Sequence, residues 1–258
     1  MDRTTAGWTA SRRRVVGGII AAAAVGVGAA AHGGRVSGSE AMRRGRQATP
    51  EAEEGRLRAR PGVPTEDARP GVHRLGLAEG RDALLVVPAG YRPDRPAPLV
   101  LSLHGAGGNE EGGLYPLREL ADGAGVILLS PASRGRTWDV ILGGLGPDVA
   151  FVDRALAAVF ARCAVDPARL AVAGFSDGAS YALSLGIMNG DLFGHVLAFS
   201  PGFEAPAGVV GKPRFFVSHG TDDAVLPIDR CSRRIVPRLR DAGYDVDYRE
   251  FAGGHTVP

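Results

Sequence analysis

Short apolar runs alternate along the chain with longer segments that can form helices. From residue 83 onward these runs are rich in Val, Leu, Ala and Phe, which is typical of strands buried on both faces. The predicted strands are 83–88, 99–103, 126–129, 170–175, 195–199, 214–218 and 244–251. The predicted helices are 110–124, 147–164, 181–188 and 228–242. This alternation predicts an α/β fold with a mostly parallel central sheet and helices on both faces. Only residues 201–212 separate two of the later strands, which leaves no room there for a lid domain.

The first 31 residues have the composition of an export signal. Arg12, Arg13 and Arg14 precede an apolar run, 17–31, that is rich in Ala and Gly and ends in three alanines. A paired-arginine segment, a weakly hydrophobic core and a small-residue cleavage site predict a twin-arginine-type signal peptide. The export machinery is then a partner of the leader, and the mature protein is secreted. A transmembrane anchor is the alternative, but a span needs about 20 apolar residues and this run has about 15.

Residues 32–74 are mostly Gly, Arg, Glu and Pro, with few large apolar side chains. This composition predicts a disordered linker, followed by a folded domain over 75–258. The net charge of +2 comes from the leader, where 1–31 hold four Arg and one Asp. The basic balance therefore does not indicate a nucleic-acid partner. The two cysteines, Cys163 and Cys231, are compatible with a disulfide after export, but the sequence slightly favours free thiols.

A Gly-x-Ser-x-Gly motif, residues 174–178, lies between a predicted strand and a predicted helix. In that context the central Ser176 is a candidate nucleophile on a sharp turn, because the small flanking residues let the backbone fold tightly. The N–H of Asp177 would then face a developing oxyanion at the start of the helix. The alternative interpretation is a glycine-rich turn that carries an ordinary serine.

A serine nucleophile needs a base, and the base needs an orienting acid. The candidates must follow later strands, since an open α/β sheet builds its site at the carboxyl ends of its strands. His255, after the last strand, is the predicted base. Asp223, after strand 214–218, is the predicted acid, with Asp222 as its competitor. His219 in the same loop is interpreted as structural.

A second glycine-rich segment, 104–108, follows strand 99–103 and predicts the other half of an oxyanion hole. The expected donor is the N–H of Ala106, while His104 and Gly105 are weaker candidates for substrate contacts. A phosphate-binding loop is the alternative, but the Lys-Ser/Thr of a P-loop is missing. Trp138 and Asp139 could line the pocket or could pack and cap their own loop. No cluster has the spacing of metal ligands.

With these residues assembled, the chain resembles the α/β-hydrolase superfamily over about residues 75–258. Within that superfamily it is similar to phospholipase/carboxylesterases and to polyhydroxybutyrate-depolymerase-like and feruloyl-esterase-like serine esterases. The similarity rests on segments 104–108, 174–178, 219–227 and 253–255. It implies a Ser-Asp-His triad, with Asp223 matching the family acid, and no cofactor. The family has a further helix after the histidine, whereas this sequence stops at Pro258. The sequence is then either truncated, or its histidine loop is poorly anchored.

These features predict an exported serine hydrolase that cleaves small or polymeric carboxylic esters through an acyl-enzyme. Two alternatives remain open at this point. A thioesterase or a peptidase can use the same triad. The chain can also be a catalytically inactive binding protein, which the short C-terminus favours.

Overall fold

One eight-stranded sheet organises the part of the chain that the structure, a computed structural model, describes, namely residues 55–258. The strands are β1 (Gly71–Arg74), β2 (Ala83–Val87), β3 (Ala97–Leu103), β4 (Ile127–Pro131), β5 (Val165–Phe175), β6 (His195–Phe199), β7 (Arg214–Gly220) and β8 (Val246–Phe251). The α-helices are α1 (Arg118–Ala124), α2 (Pro147–Arg162), α3 (Asp177–Met188) and α4 (Ser232–Asp241). Short 3₁₀ turns occur at Gly112–Leu114, Asp139–Leu142 and Ile228–Arg230.

The strands lie in the order β1-β2-β4-β3-β5-β6-β7-β8. Strands β3 to β8 run parallel to one another, whereas β2, near one edge, is antiparallel to both of its neighbours, β1 and β4. The carboxyl ends of β3, β5, β7 and β8 therefore meet at the same edge of the sheet. The segments after those strands are the ones that carry the predicted site residues.

The sheet is apolar on both faces, as strands covered on both sides must be. Along β3, Leu99, Leu101 and Leu103 belong to one apolar cluster and Val100 to the other. Helices α2, α3 and α4 contribute to the first cluster, while α1 contributes to the second. The predicted mostly parallel sheet with helices on both faces is confirmed. Residues 201–212 contain no helix, and they form a single bridge between Gly190 and Gly211.

Two predicted helices are each divided in the structure into a 3₁₀ turn and a shorter α-helix. The segment 110–124 forms a 3₁₀ turn and then α1, with Pro116 between them. Proline lacks the N–H that a continuous helix requires, and Gly113 packs so closely that a Cβ there would lie 2.2 Å from Ser130 Oγ. The segment 228–242 likewise divides at Cys231 into a 3₁₀ turn and α4. Strand β1 was missed because it is four residues long and mostly exposed.

The prediction of a disordered linker over 32–74 is wrong for residues 55–74. This part of the chain is a strap that crosses α2 and α3 before it enters β1. Leu57 is 1% exposed and belongs to the larger apolar cluster. Its N–H donates to Asn189 Oδ1 at 2.8 Å, and Asn189 Nδ2 donates to Gly55 O at 2.8 Å. Leu57, with its backbone groups satisfied, anchors this end of the strap. The sequence analysis missed it because the average hydrophobicity of the segment is low.

Ion pairs and backbone bonds fasten the rest of the strap. Arg56 and Arg60 both pair with Asp191, at 3.0 and 2.6 Å. The N–H groups of Thr65 and Glu66 both donate to Ala161 O at 2.9 Å. The folded unit therefore includes residues on the N-terminal side of Leu75, where order was expected to begin. The predicted signal peptide over 1–31 and the first part of the predicted linker lie outside the described residues.

Between residues 55 and 258, no helix combines the length and the hydropathy needed to cross a membrane. Cys163 and Cys231 are both buried free thiols, in agreement with the reading that the sequence slightly favoured. Burial raises the pKa of Cys163 to about 11, so that this thiol stays protonated at neutral pH.

We expect Leu57→Ala to lower the free energy of unfolding by about 2 to 5 kcal/mol, as large-to-small core substitutions do. The matched control is Val63→Ala in the same strap, since Val63 is 91% exposed and should change stability by no more than about 0.5 kcal/mol. Urea unfolding followed by circular dichroism measures both. Equal effects for the two variants would mean that the strap does not contribute to the core.

Candidate active site

A tight turn joins β5 to α3 and carries Ser176. The backbone of Ser176 has φ 57° and ψ −122°, a conformation that residues other than glycine rarely adopt. The flanking glycines allow this turn. A Cβ on Gly174 would lie 2.1 Å from Gly178 O, and a Cβ on Gly178 would lie 2.3 Å from Leu103 O. The spacing of the motif is thus required by backbone packing against the end of β3.

Three predicted residues from different parts of the chain meet at this turn. His255 Nε2 lies 2.9 Å from Ser176 Oγ, and His255 Nδ1 lies 2.7 Å from Asp223 Oδ2. The ring of His255 also packs against Phe175, with 4.8 Å between the centroids. In this arrangement Nδ1–H donates to the carboxylate and Nε2 is free to accept the serine proton.

The second carboxylate oxygen of Asp223 is also occupied. Asp223 Oδ1 accepts hydrogen bonds from Val225 N at 2.9 Å and from Leu226 N at 2.8 Å. Burial acts to raise the pKa of Asp223, but the hydrogen bonds from His255 and Leu226 outweigh it, and the pKa is lowered. The side chain is fully buried and stays ionised. The competing Asp222 is exposed and bonds to Thr221.

The loop that carries His255 is held by its backbone. Asp222 N donates to Gly253 O at 2.9 Å, and Gly220 lies so close that a Cβ there would be 2.2 Å from Gly253 O. Val257 is 7% exposed and joins the smaller apolar cluster. The poorly anchored loop, one of the two alternatives that the sequence raised, is therefore not what the structure shows.

The glycine-rich segment after β3 borders the nucleophile. A Cβ on Gly105 would lie 3.3 Å from Ser176 Cβ, so the backbone of this segment passes directly beside the serine. The N–H groups of Ala106 and Asp177 have no hydrogen-bond partner among residues 55–258. Unpaired backbone donors beside a nucleophile are what an oxyanion hole needs.

The comparisons with known proteins agree with this architecture. No protein-family model matches the chain. The chain is 30% identical to feruloyl esterase C of Emericella nidulans over 159 residues, which is 58% of this chain and 57% of that protein. Among solved structures, it resembles an S-formylglutathione hydrolase from Staphylococcus aureus with a TM-score of 0.58 and 12% identity, covering 74% of this chain and 94% of that one. The chain has the α/β-hydrolase fold.

A ferulic acid esterase from the fungus Anaeromyces mucronatus shares the same fold. It matches with a TM-score of 0.52 and 19% identity, and the match covers 81% of this chain and 90% of that one. The resemblance to α/β-hydrolases of the feruloyl-esterase-like kind is confirmed. The chain spans little more than half the length of the curated relative that it matches.

Three weaker substrate-contact candidates lie behind the site rather than in it. His104 is 1% exposed, and its Nδ1–H donates to Gly105 O while Ser133 N donates to its Nε2. Burial lowers the pKa of His104, which keeps the ring neutral. Trp138 is fully buried, donates to His104 O at 2.8 Å and stacks on Tyr181. Both rings support the oxyanion segment from inside the protein. The prediction that His104 and Trp138 contact substrate is therefore corrected.

Asp139 is likewise part of its own loop. Its Oδ2 accepts from Gly146 N and from Asp148 N, so it caps the start of α2, as the alternative interpretation expected. Of the four weaker candidates, Gly105 alone keeps a position suited to a substrate contact, because its backbone passes beside Ser176.

Two contacts at the site were missed by the sequence analysis. Thr137 Oγ1 donates to Asp177 Oδ2 at 2.5 Å, and Gly107 N donates to Arg136 O at 2.7 Å. The loop after β4 is therefore tied both to the nucleophile turn and to the oxyanion segment. His219, interpreted as structural, lies against Asp223. Residue type and spacing carry no signal for such contacts, which depend on how separate loops meet.

Over residues 55–258, no group of three His, Cys, Asp or Glu could hold a metal ion.

A buried carboxyl pair supports the loop after β4. Asp148 Oδ2 accepts from Asp139 N at 2.7 Å. Burial raises the pKa of Asp148 to about 6, and the charge of Asp139 adds to this rise. Between about pH 4 and pH 6, Asp148 is therefore protonated to a greater extent in the folded protein than in the unfolded chain. This group therefore lowers stability as the pH rises through that range, by at most about 3 kcal/mol.

We expect Asp148→Asn to remove this pH dependence, because the amide does not ionise. The stability of the variant relative to wild type should rise by up to about 3 kcal/mol from pH 4 to pH 7. Any cost of losing an acceptor is independent of pH and cancels in the trend. Urea unfolding of both proteins at several pH values measures the difference. A flat difference would contradict the raised pKa.

Proposed function

We propose that this α/β-hydrolase is an exported serine hydrolase that cleaves carboxylic esters through an acyl-enzyme. The observation that carries the proposal is the chain of contacts from Ser176 Oγ through His255 to Asp223, with distances of 2.9 and 2.7 Å. The feruloyl esterase among its relatives supports ester hydrolysis. The chain uses its own side chains and water for every step.

In the proposed reaction Ser176 Oγ attacks the ester carbonyl carbon while its proton passes to His255 Nε2. Asp223 orients His255 and stabilises the imidazolium that forms. The N–H groups of Ala106 and Asp177 donate to the oxyanion of the tetrahedral intermediate. His255 then returns the proton to the leaving alcohol, which departs and leaves Ser176 acylated. Water, activated by His255, cleaves the acyl-enzyme and regenerates the serine.

The proposed substrates are soluble or accessible polymeric esters, with aromatic acyl groups such as ferulate as the first class to test. The relative's name favours this class. The short connection between β6 and β7 favours an open site, since no lid domain is inserted there. An open site gives no special advantage on emulsified lipid, which interfacial lipases bind by moving a lid.

Export through a twin-arginine signal over 1–31 is part of the proposal. Replacing Arg12 and Arg13 together by Lys should retain the protein inside the cell while leaving the enzyme unchanged. Fractionation of cells that express the two forms measures this. Equal export of both forms would contradict a twin-arginine route.

The triad is tested by labelling the folded protein with a fluorophosphonate probe, which reacts with activated serines. We expect wild type to be labelled, Ser176→Ala not at all, and His255→Ala at least about 100-fold more slowly. Asp223→Asn should also label slowly, because the amide disfavours the working tautomer of His255.

Asp222→Asn is the matched control, since Asp222 is the adjacent, exposed acid and should label like wild type. Absence of labelling in a folded wild-type protein would contradict the proposed hydrolase activity and favour the alternative of a catalytically inactive binding protein.

Substrate class is tested by comparing kcat/KM on methyl ferulate, short-chain p-nitrophenyl esters, an acyl thioester and an aminoacyl amide. We expect the carboxylic esters to be cleaved fastest, with methyl ferulate above an alkyl ester of similar size. Faster cleavage of the thioester or the amide would assign the triad to a thioesterase or a peptidase. Higher activity on emulsified long-chain triglyceride than on short esters would contradict the open site.

A further inference from the structure

His219 lies at the carboxyl end of β7, directly behind Asp223. Both side chains are fully buried. His219 Nε2 lies 2.8 Å from Leu226 O and 3.1 Å from Asp223 Oδ2, while its Nδ1 lies 2.7 Å from Ser232 Oγ. The ring therefore fills the space between the turn that holds Asp223 and the first residue of α4.

These partners define the protonation of the ring. A carbonyl oxygen can only accept, so Nε2 carries the hydrogen and donates it to Leu226 O. Burial lowers the pKa of His219, which keeps the ring neutral near neutral pH. In the neutral ring Nδ1 has no hydrogen and accepts the hydroxyl hydrogen of Ser232. The serine thus selects the tautomer that donates towards the Asp223 turn.

The contact to Leu226 reaches Asp223 through the same peptide segment. Leu226 N donates to Asp223 Oδ1, and Leu226 O accepts from His219. His219 thus clamps the far side of the turn that fixes one carboxylate oxygen. Its Nε2–H edge also approaches the other oxygen, Oδ2, which accepts from His255 Nδ1. Partial positive charge at this distance withdraws negative charge from the oxygen that faces the base.

We propose that His219 is a positioning residue that sets the orientation and the charge of Asp223, and through Asp223 the basicity of His255. The inference rests on the proposed function, because it assigns His219 a role in the same triad. It adds Ser232 and His219 to a continuous chain of contacts that ends at Ser176. His219 itself touches neither substrate nor the reacting atoms.

The charged and titratable groups around His219 are few. Asp223 and His255 face it from the two loops, and Glu250 is its register partner on β8. Glu250 pairs with Arg233 of α4 at 2.7 Å, which fixes its charge. The buried thiol of Cys231 precedes α4, and burial raises its pKa. A pH effect of a His219 substitution near neutrality is therefore expected to pass through Asp223 and His255.

A pair of amide variants separates the two ends of the ring. His219→Gln can place its amide nitrogen near the position of Nε2 and keep the donor to Leu226 and Asp223. His219→Asn reaches only the position of Nδ1, so it keeps the contact to Ser232 and loses that donor. We expect the Asn variant to lose about tenfold in kcat with KM unchanged, and the Gln variant to stay within about threefold of wild type.

The pH profile carries the decisive readout. Without the donor, Asp223 Oδ2 concentrates its charge on His255, which stabilises the imidazolium. The acid limb of kcat/KM should move to higher pH by about 0.5 to 1 unit in the Asn variant and remain in place in the Gln variant. His219→Leu is the second loss variant, which keeps the test available if the Asn variant does not fold, and it should shift the limb in the same direction.

Leu239→Ala in α4 is the control for destabilisation alone, because Leu239 is a buried core residue with no polar contact to the triad. It should lower stability without moving the acid limb. Folded Asn or Leu variants with the wild-type profile and kcat would overturn the inference. Fluorophosphonate labelling of wild type tests the triad separately, so labelling together with unshifted profiles would refute only the role of His219.

Discussion

The approach of one backbone to another at the end of β3 is the constraint on which the site depends. Gly178, in the first turn of α3, lies against the carbonyl groups of Leu103 and His104, where a Cβ would be within 2.4 Å of both oxygens. This contact brings together the turn that carries Ser176, which follows β5, and the oxyanion segment, which follows β3. The two strands are parallel neighbours, so both segments begin at the same edge of the sheet. A larger residue at position 178 would separate them and remove the geometry that the proposed reaction requires. Burial of β3 and β5 in the middle of the sheet makes the contact rigid.

Behind this edge, two buried histidines hold the segments that carry the site, and both nitrogens of each ring have a hydrogen-bond partner. His104 donates to Gly105 O and accepts from Ser133 N, so a neutral imidazole fixes the oxyanion segment. His219 lies in the same way behind Asp223, where it donates to Leu226 O and approaches Asp223 Oδ2. Because an unpaired polar group in such surroundings is costly, each ring has one preferred tautomer and one orientation. The two buried histidines thus resemble each other in physical role while His255, beside the serine, keeps a nitrogen free to accept a proton.

The sequence predicted those parts of the structure that depend on local pattern. Continuous apolar runs identified β3, β5, β6 and β7, and the glycines around Ser176 identified the turn, because both features reflect requirements of the segment itself. The strap and β1 were missed because their stability comes from a few distant partners. Leu57 is ordered by Asn189, and this long-range pairing leaves no periodic signal in a segment of low hydrophobicity.

The same distinction explains which site residues the sequence could identify. Each triad residue follows the carboxyl end of a parallel strand, and the topology brings those ends to one edge of the sheet. The sequence alone could therefore predict that Ser176, Asp223 and His255 lie close together. Trp138 could not be assigned in this way, since a loop tryptophan can face either a pocket or the core. Its indole N–H decides the matter here, because the acceptor that it needs, His104 O, lies inside the protein. A buried donor must find its acceptor, and that requirement turns the ring away from the substrate side and makes it a support for the oxyanion segment.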